Sequence, residues 1–378
     1  MTRTRLLIIG PMPPPYNGMT VFKEMLLQSD LKEQFDLLHI DTIDHHRNPN
    51  MGKFNLSTFL LALTNILRVF KAIVSRSPSL VYMPISPTIL GLLRDSILIL
   101  ESSLLRRKVI IHLHGGRYIQ EVYHQAPRAV KLIVWSACRN VDRVIVEQAS
   151  FVDAFNGLVP KERVTVISNG VEDPVPEGVN HQRQSQGPLD ACRIITYLST
   201  LQESKGYLDF IEAARLLAIE RNDVRFVVAG TWLDEKDRQK IVKRIEEEGW
   251  ASRIEFPGTV VGRENRAALL RASHVFVLPS FHPYEGQPLI LLEAMAMGLP
   301  IVTTNHGALP EIVIHERNGL IIPKRDPFAL TQAIVRLLDD DELRERIGRT
   351  NRAEYLEKYT AEKCIQRMGD LFEQVLNS

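Results

Sequence analysis

The sequence predicts an α/β protein built from two Rossmann-like domains, each a parallel sheet covered by helices. Three observations carry that expectation. Short apolar stretches of strand length alternate with helical stretches along the chain, the pattern of parallel strands joined by helical crossovers. The alternation breaks once, between Glu172 and Asp190, where Pro174, Pro176, Gly178, Gly187 and Pro188 stand among polar residues. A chain of 378 residues also exceeds what one hydrophobic core usually serves. The expected layout is a first domain over 1–175, a linker over 176–189 and a second domain over 190–354.

In the first domain, residues 6–10 read as the opening strand, 80–83 and 109–113 as later ones, and 143–146 and 164–167 as the last. Helices such as 59–75 fill the intervals. The second series starts at 193–198 and recurs at 224–229, 254–256, 275–278, 301–303 and 320–322; the chain is helical from Pro327 onward.

Composition, with 45% hydrophobic and 24% charged residues, is that of an ordinary globular protein. Cys138, Cys192 and Cys364 are far apart without ligand-like spacing, which suggests a reducing compartment and no disulfide framework. The first apolar run, 6–10, is too short for a signal core. Residues 54–67 are uncharged but short, and 85–105 are interrupted by Arg94, Asp95 and Glu101, so neither spans the about 20 residues a bilayer requires. A cytoplasmic location follows as the expectation. The net charge of +1 hides an asymmetry. From Lys53 to Arg143, thirteen Lys and Arg face four Asp and Glu, an excess of +9 that leaves −8 for the remainder. No nucleic-acid partner is expected, whereas the basic first domain suits peripheral contact with an anionic membrane or attraction of a phosphorylated lipid acceptor.

The most informative segment is Glu285-Gly286-Gln287-Pro288-Leu289-Ile290-Leu291-Leu292-Glu293. It sets two carboxylates eight positions apart around the expected start of a buried helix. From Gly286 through Gln287, Leu289 and Ile290, unpaired N–H groups and the positive end of the helix dipole would offer a phosphate site. Gly298 and Pro300 then stop the helix. A carboxylate on either side of a phosphate suits the hydroxyls of a sugar nucleotide. Glu293 lies in a helix that is apolar nearly all round, and a buried charge without a partner is costly, so a polar ligand is the economical explanation.

This segment resembles the Glu-x7-Glu signature of the retaining glycosyltransferases of family 4, which have the two-domain GT-B fold. Also similar to that family are Ser168-Asn169-Gly170-Val171, Ser204-Lys205-Gly206, Phe226-Val227-Val228-Ala229-Gly230, and Gly307 to Glu311 followed by Asn318-Gly319. The resemblance implies two domains facing a central cleft, with residues 355–378 crossing back to the first. It assigns Lys205 to the donor phosphate, Glu285 to hydroxyls of the donor hexose, Glu293 to the ribose, and His114 to the sugar near its anomeric centre. By itself a lysine-glycine pair in a loop is only a solvated turn. The chain departs from the family at Ser199-Thr200, where a second cation or amide is common, so a second phosphate contact is missing or comes from elsewhere; Thr200 keeps that place. It departs again at Gln287 and Pro288. A third departure is Asn17-Gly18 in place of paired glycines, although Gly18 still offers an N–H at a helix start.

His112 and His114 fall on one face of their strand, so a metal-binding pair has to be weighed. Gly115-Gly116-Arg117 adds no further ligand, and no Asp-x-Asp triplet stands beside a strand end, so no metal or other cofactor is expected. His112 reads as a packed residue. The resemblance implies transfer of a hexose from a nucleoside-diphosphate sugar to a saccharide or lipid-linked acceptor, in polysaccharide or glycoconjugate assembly, by front-face attack assisted by the leaving phosphate. The alternatives are an epimerase or phosphorylase on the same fold, or a catalytically silent binding protein.

Overall fold

The computed structural model describes residues 3–14, 16–43, 56–175 and 192–378. The linker expected over 176–189 lies outside the described residues. Two compact units divide the chain: Met1–Asn169 together with Ala361–Ser378, and Gly170–Thr360.

The first unit is a six-stranded parallel sheet of β1 (Thr4–Ile9), β2 (Phe35–Ile40), β3 (Leu80–Pro84), β4 (Lys108–Leu113), β5 (Arg143–Val146) and β6 (Val164–Val166), in the order β2-β1-β3-β4-β5-β6. Its central strands are buried on both faces and so read as continuous apolar runs. The strand β2 has no counterpart in the sequence reading. It stands at the sheet edge, partly exposed along its middle, and Asp36 and His39 break its apolar run. One face of the sheet carries the helix Gly18–Gln28 and the last helix, Ala361–Leu376. The latter buries Cys364, Ile365, Met368, Leu371, Phe372 and Val375, the spacing of a single helix face, against Phe22, Leu26, Phe35 and Tyr82.

The second unit repeats the plan with β7 (Arg193–Leu198), β8 (Val224–Ala229), β9 (Ile254–Gly258), β10 (Val275–Leu278), β11 (Ile301–Thr304) and β12 (Gly319–Ile322), in the order β12-β11-β10-β7-β8-β9. The order reverses between β7 and β10. Loops leaving the carboxyl ends of two such strands flank a crevice, the place where open parallel sheets hold their ligands.

Candidate functional site

The loops after β7 and β10 meet at that crevice. After β7 the chain makes a tight turn over Glu203–Lys205, and Gly206 follows at φ +79°, a left-handed conformation that favours glycine. A Cβ on Gly206 would stand 2.1 Å from the carbonyl oxygen of Pro279, so only glycine lets the two loops touch. They are laced by the Phe281 N–H donating to the Ser204 carbonyl at 2.8 Å, and by Ser204 Oγ and His282 Nδ1 at 3.0 Å.

This closure delivers Lys205 Nζ to Glu285 Oε1 at 2.7 Å. The other oxygen of Glu285 accepts from Ser280 Oγ, whose own backbone carbonyl accepts from Thr304 Oγ1. Glu285 is 4% exposed, and the Lys205 side chain 20%. Burial, and after it the Lys205 charge, lowers the pKa of His282 from its ordinary value, which favours a neutral imidazole beside the pair. Gly286 and Gln287 follow, both buried. The helix Leu289–Ala296 then begins with Pro288 at its N-cap and no side-chain cap, so the Leu289 and Ile290 N–H groups have no partner within the helix. Thr200 is exposed beside the same turn, its carbonyl accepting from the Gln202 N–H at 2.8 Å.

Glu293 has a salt-bridge partner within the second unit. Arg266, on the helix Arg263–Ala272, holds it with two parallel bonds, Nε to Oε2 and Nη2 to Oε1, each 2.9 Å. The argument from an unpartnered buried charge is therefore corrected, and Glu293 with Arg266 forms a second polar pair apart from Lys205 and Glu285.

In the first unit, His114 lies just beyond β4. Leu113 is in register with Val146, so the next residues of the two strands, His114 and Glu147, are neighbours. His114 Nδ1 lies 3.1 Å from Glu147 Oε1, which also accepts from Asn169 Nδ2 at 3.0 Å. Because a carboxylate only accepts, Nδ1 carries the hydrogen and Nε2 is left for other contacts. His112 is fully buried and stacked on His114, ring centroids 3.8 Å apart, and shares a 2.7 Å hydrogen bond with the Tyr82 hydroxyl. Burial pushes its pKa well below the ordinary histidine value. Neither Glu147 nor Asn169 was singled out as a site residue; only the strand pairing could have pointed to Glu147, whereas Asn169 stands in the Ser168-Asn169-Gly170-Val171 motif. Glu147 also supplies the third potential ligand that Gly115-Gly116-Arg117 did not: ligand atoms of His112, His114 and Glu147 lie within 4.8 Å of one another. Each ring nevertheless already has a hydrogen-bonded neighbour, in Tyr82 and Glu147.

Gly18 opens the helix Gly18–Gln28, and no atom of the described residues lies within 4 Å of where its Cβ would stand, so their packing does not demand glycine there. The departure at Asn17 has a structural reason. The Asn17 side chain accepts from the Thr20 N–H at 3.1 Å while Thr20 Oγ1 accepts from the Asn17 N–H at 3.0 Å, a reciprocal cap legible as Asn-x-x-Thr.

Comparison with known proteins gives the family and the fold that the chain resembles. Residues 179–354 match the family described as Glycosyl transferases group 1. An uncharacterized glycosyltransferase of Methanocaldococcus jannaschii is 30% identical over 221 residues, 57% of this chain and 55% of the relative. The alpha-D-kanosaminyltransferase of Streptomyces kanamyceticus is 25% identical over 287 residues, 73% of each chain. The chain spans about half the length of the first curated relatives it matches. Among solved structures, Anabaena Alr3699/HepE in complex with UDP superposes with a TM-score of 0.73 at 17% identity, covering 98% of this chain and 100% of that one. The fold is GT-B, two Rossmann-like α/β domains. The matched residues 179–354 fall in the second unit.

Proposed function

We propose that the protein is a retaining glycosyltransferase that moves a hexose from a nucleoside-diphosphate sugar to a saccharide or lipid-linked acceptor in polysaccharide or glycoconjugate assembly. The observation that carries this reading is the Lys205–Glu285 pair at the reversal point of the second sheet, with Gly286 and the uncapped helix start beside it. A cation and a carboxylate in contact neutralise each other until a ligand separates them. The diphosphate of the donor would take Lys205, aided by the N–H groups from Gly286 to Ile290, and thereby free Glu285 to accept from sugar hydroxyls. Both changes favour the transition state: negative charge grows on the leaving diphosphate beside Lys205 while the sugar develops oxocarbenium character. In this reading Lys205 supplies the stabilising charge without a metal ion, and the acceptor attacks from the face that the diphosphate leaves. Glu293, held in place by Arg266, would accept from the ribose. His114, oriented by Glu147, is the candidate catalytic group of the first unit. The relatives named for sugar transfer and the UDP bound by the structural neighbour support the donor class.

The test is a thermal-shift screen against UDP, GDP, ADP and their common sugar conjugates, with and without magnesium, repeated on Glu293→Ala. The reading expects stabilisation by one nucleotide family, independent of magnesium and reduced in the variant, followed by acceptor-dependent release of that nucleotide. Turnover without an acceptor would point to an epimerase, turnover with phosphate alone to a phosphorylase, and no response to any nucleotide to a silent binding protein.

A further inference from the structure

The helix Leu56–Arg76 carries a buried face and a separate apolar one. One packs into the first unit through Asn65, Val69 and Ile73, all fully buried. The other is open: Phe59, Leu60, Leu63, Leu67, Phe70 and Val74 are each between 43% and 60% exposed. At the roughly 100° per residue of an α-helix these six share one stripe, turned about 130° from the buried face. Scattered exposed apolar residues are ordinary, but six on one continuous stripe mark a surface that meets something.

Charge identifies the occupant. The helix holds Arg68, Lys71 and Arg76 and not one Asp or Glu along its 21 residues. Lys71 flanks the stripe, and Arg76 ends the helix. The helix Ile89–Leu104 packs between this one and Arg128–Arg139. All three run back to strand starts, so their carboxyl ends lie at the amino-end side of the parallel sheet. There Arg106, Arg107, Lys108, Arg139 and Arg163 line a single pocket with one acid, Asp142. Arg107 Nε is buried without a hydrogen-bond partner among the described residues. An apolar stripe beside an excess of cations is the signature of a helix that lies in a lipid interface. No helix among the described residues is long and apolar enough to cross a membrane.

We infer that the exposed face of the helix Leu56–Arg76 docks the protein on an anionic lipid bilayer, the stripe entering the acyl boundary and the cations of this helix and of the neighbouring helix ends meeting headgroup phosphates. The inference stands on the first unit alone and does not depend on the transfer reaction.

The experiment is sedimentation of the full chain with vesicles of phosphatidylglycerol and phosphatidylcholine in equal parts, against phosphatidylcholine alone. Binding is expected only with the anionic vesicles, and it should weaken with salt. The triple variant Leu63→Ser, Leu67→Ser, Phe70→Ser should partition about a hundredfold less. Lys71→Gln with Arg76→Gln should lose about thirtyfold. All five positions are exposed, so the thermal melt should stay unchanged. Absence of wild-type binding, equal binding to neutral vesicles, or unchanged partition of both variants would overturn the inference. So would light scattering that shows a dimer in solution split by the triple variant, which would give the stripe to a second copy of the chain.

Discussion

Replacing Glu285 by Gln tests the ion pair from an unusual direction. If Lys205 grips the diphosphate only after leaving Glu285, the carboxylate is a competitor of phosphate in the free protein and a helper of the sugar in the complex. The variant should therefore move two measurements in opposite senses. Opposite charges 4 Å apart attract by about 4 kcal/mol at the effective dielectric of a protein surface. In Glu285→Gln the amide oxygen still accepts from Lys205, and Lys205 is partly open to water, so about a third to two thirds of that figure is released. Affinity for a nucleoside diphosphate lacking sugar should then rise about ten- to hundredfold. Turnover should fall about ten- to hundredfold, because a charged acceptor at the sugar hydroxyls has become a neutral one. Titration calorimetry with whichever of UDP, GDP or ADP binds the wild type gives the first number, and release of that nucleotide under saturating donor and acceptor gives the second. A folded Glu285→Gln protein that binds the free diphosphate no better than wild type would refute the competition, and one with unimpaired turnover would remove Glu285 from the reaction.

Three further outcomes are expected. Gly206→Ala places a Cβ against Pro279, whereas Gly157→Ala, at the matching φ of +78°, meets open space; both pay the left-handed strain of about 1–2 kcal/mol, and urea melts should show a larger loss for Gly206→Ala, with a fall in kcat/KM that Gly157→Ala does not share. Lys23 is buried, donates to the Ile9 carbonyl at 2.9 Å, and has its pKa pushed from 10.5 to about 7 chiefly by desolvation. The unfolded chain therefore binds the extra proton between pH 7 and 10.5, stability rises with pH across that window by up to about 1.4 kcal/mol per unit, and Lys23→Met should abolish this rise in denaturant titrations at pH 7, 8 and 9. Glu147→Ala should lower kcat by about ten- to hundredfold while leaving nucleotide affinity unchanged, since the side chain orients His114 within the first unit; an equal loss in nucleotide binding would contradict that role.

Strands buried on both faces were legible because burial dictates their composition: β7, β8 and β10 have the bounds the sequence suggested. The edge strand β2 was not, since a half-exposed strand admits Asp36 and His39 and loses its apolar signature. Lys205 and Glu285 were legible as residue types in context. Their contact was not, because it depends on β7 lying beside β10, a pairing between segments about 80 residues apart that no local pattern encodes. The same holds for Glu147, which follows β5 like any solvated carboxylate, and for Arg266, which stands beside Arg263, Glu264 and Asn265 in the charged first turn of its helix. The stripe on Leu56–Arg76 was visible only as an uncharged run. Which of its faces the core would take became evident from the burial of Val69 and Ile73.

The last helix has a consequence for how the protein is made. Its residues Cys364, Ile365, Met368, Leu371, Phe372 and Val375 belong to the core of the unit that begins at the amino terminus. During synthesis the unit Gly170–Thr360 emerges as one uninterrupted stretch and has every strand of its sheet before translation ends. The earlier unit, although its six strands leave the ribosome first, must wait with Phe22, Leu26 and Phe35 uncovered until the final helix arrives. The order of completion thus reverses the order of the chain. A nascent chain arrested at Thr360 should hold a protease-resistant second unit and a first unit still open to cleavage, a state in which holdase chaperones would find their substrate.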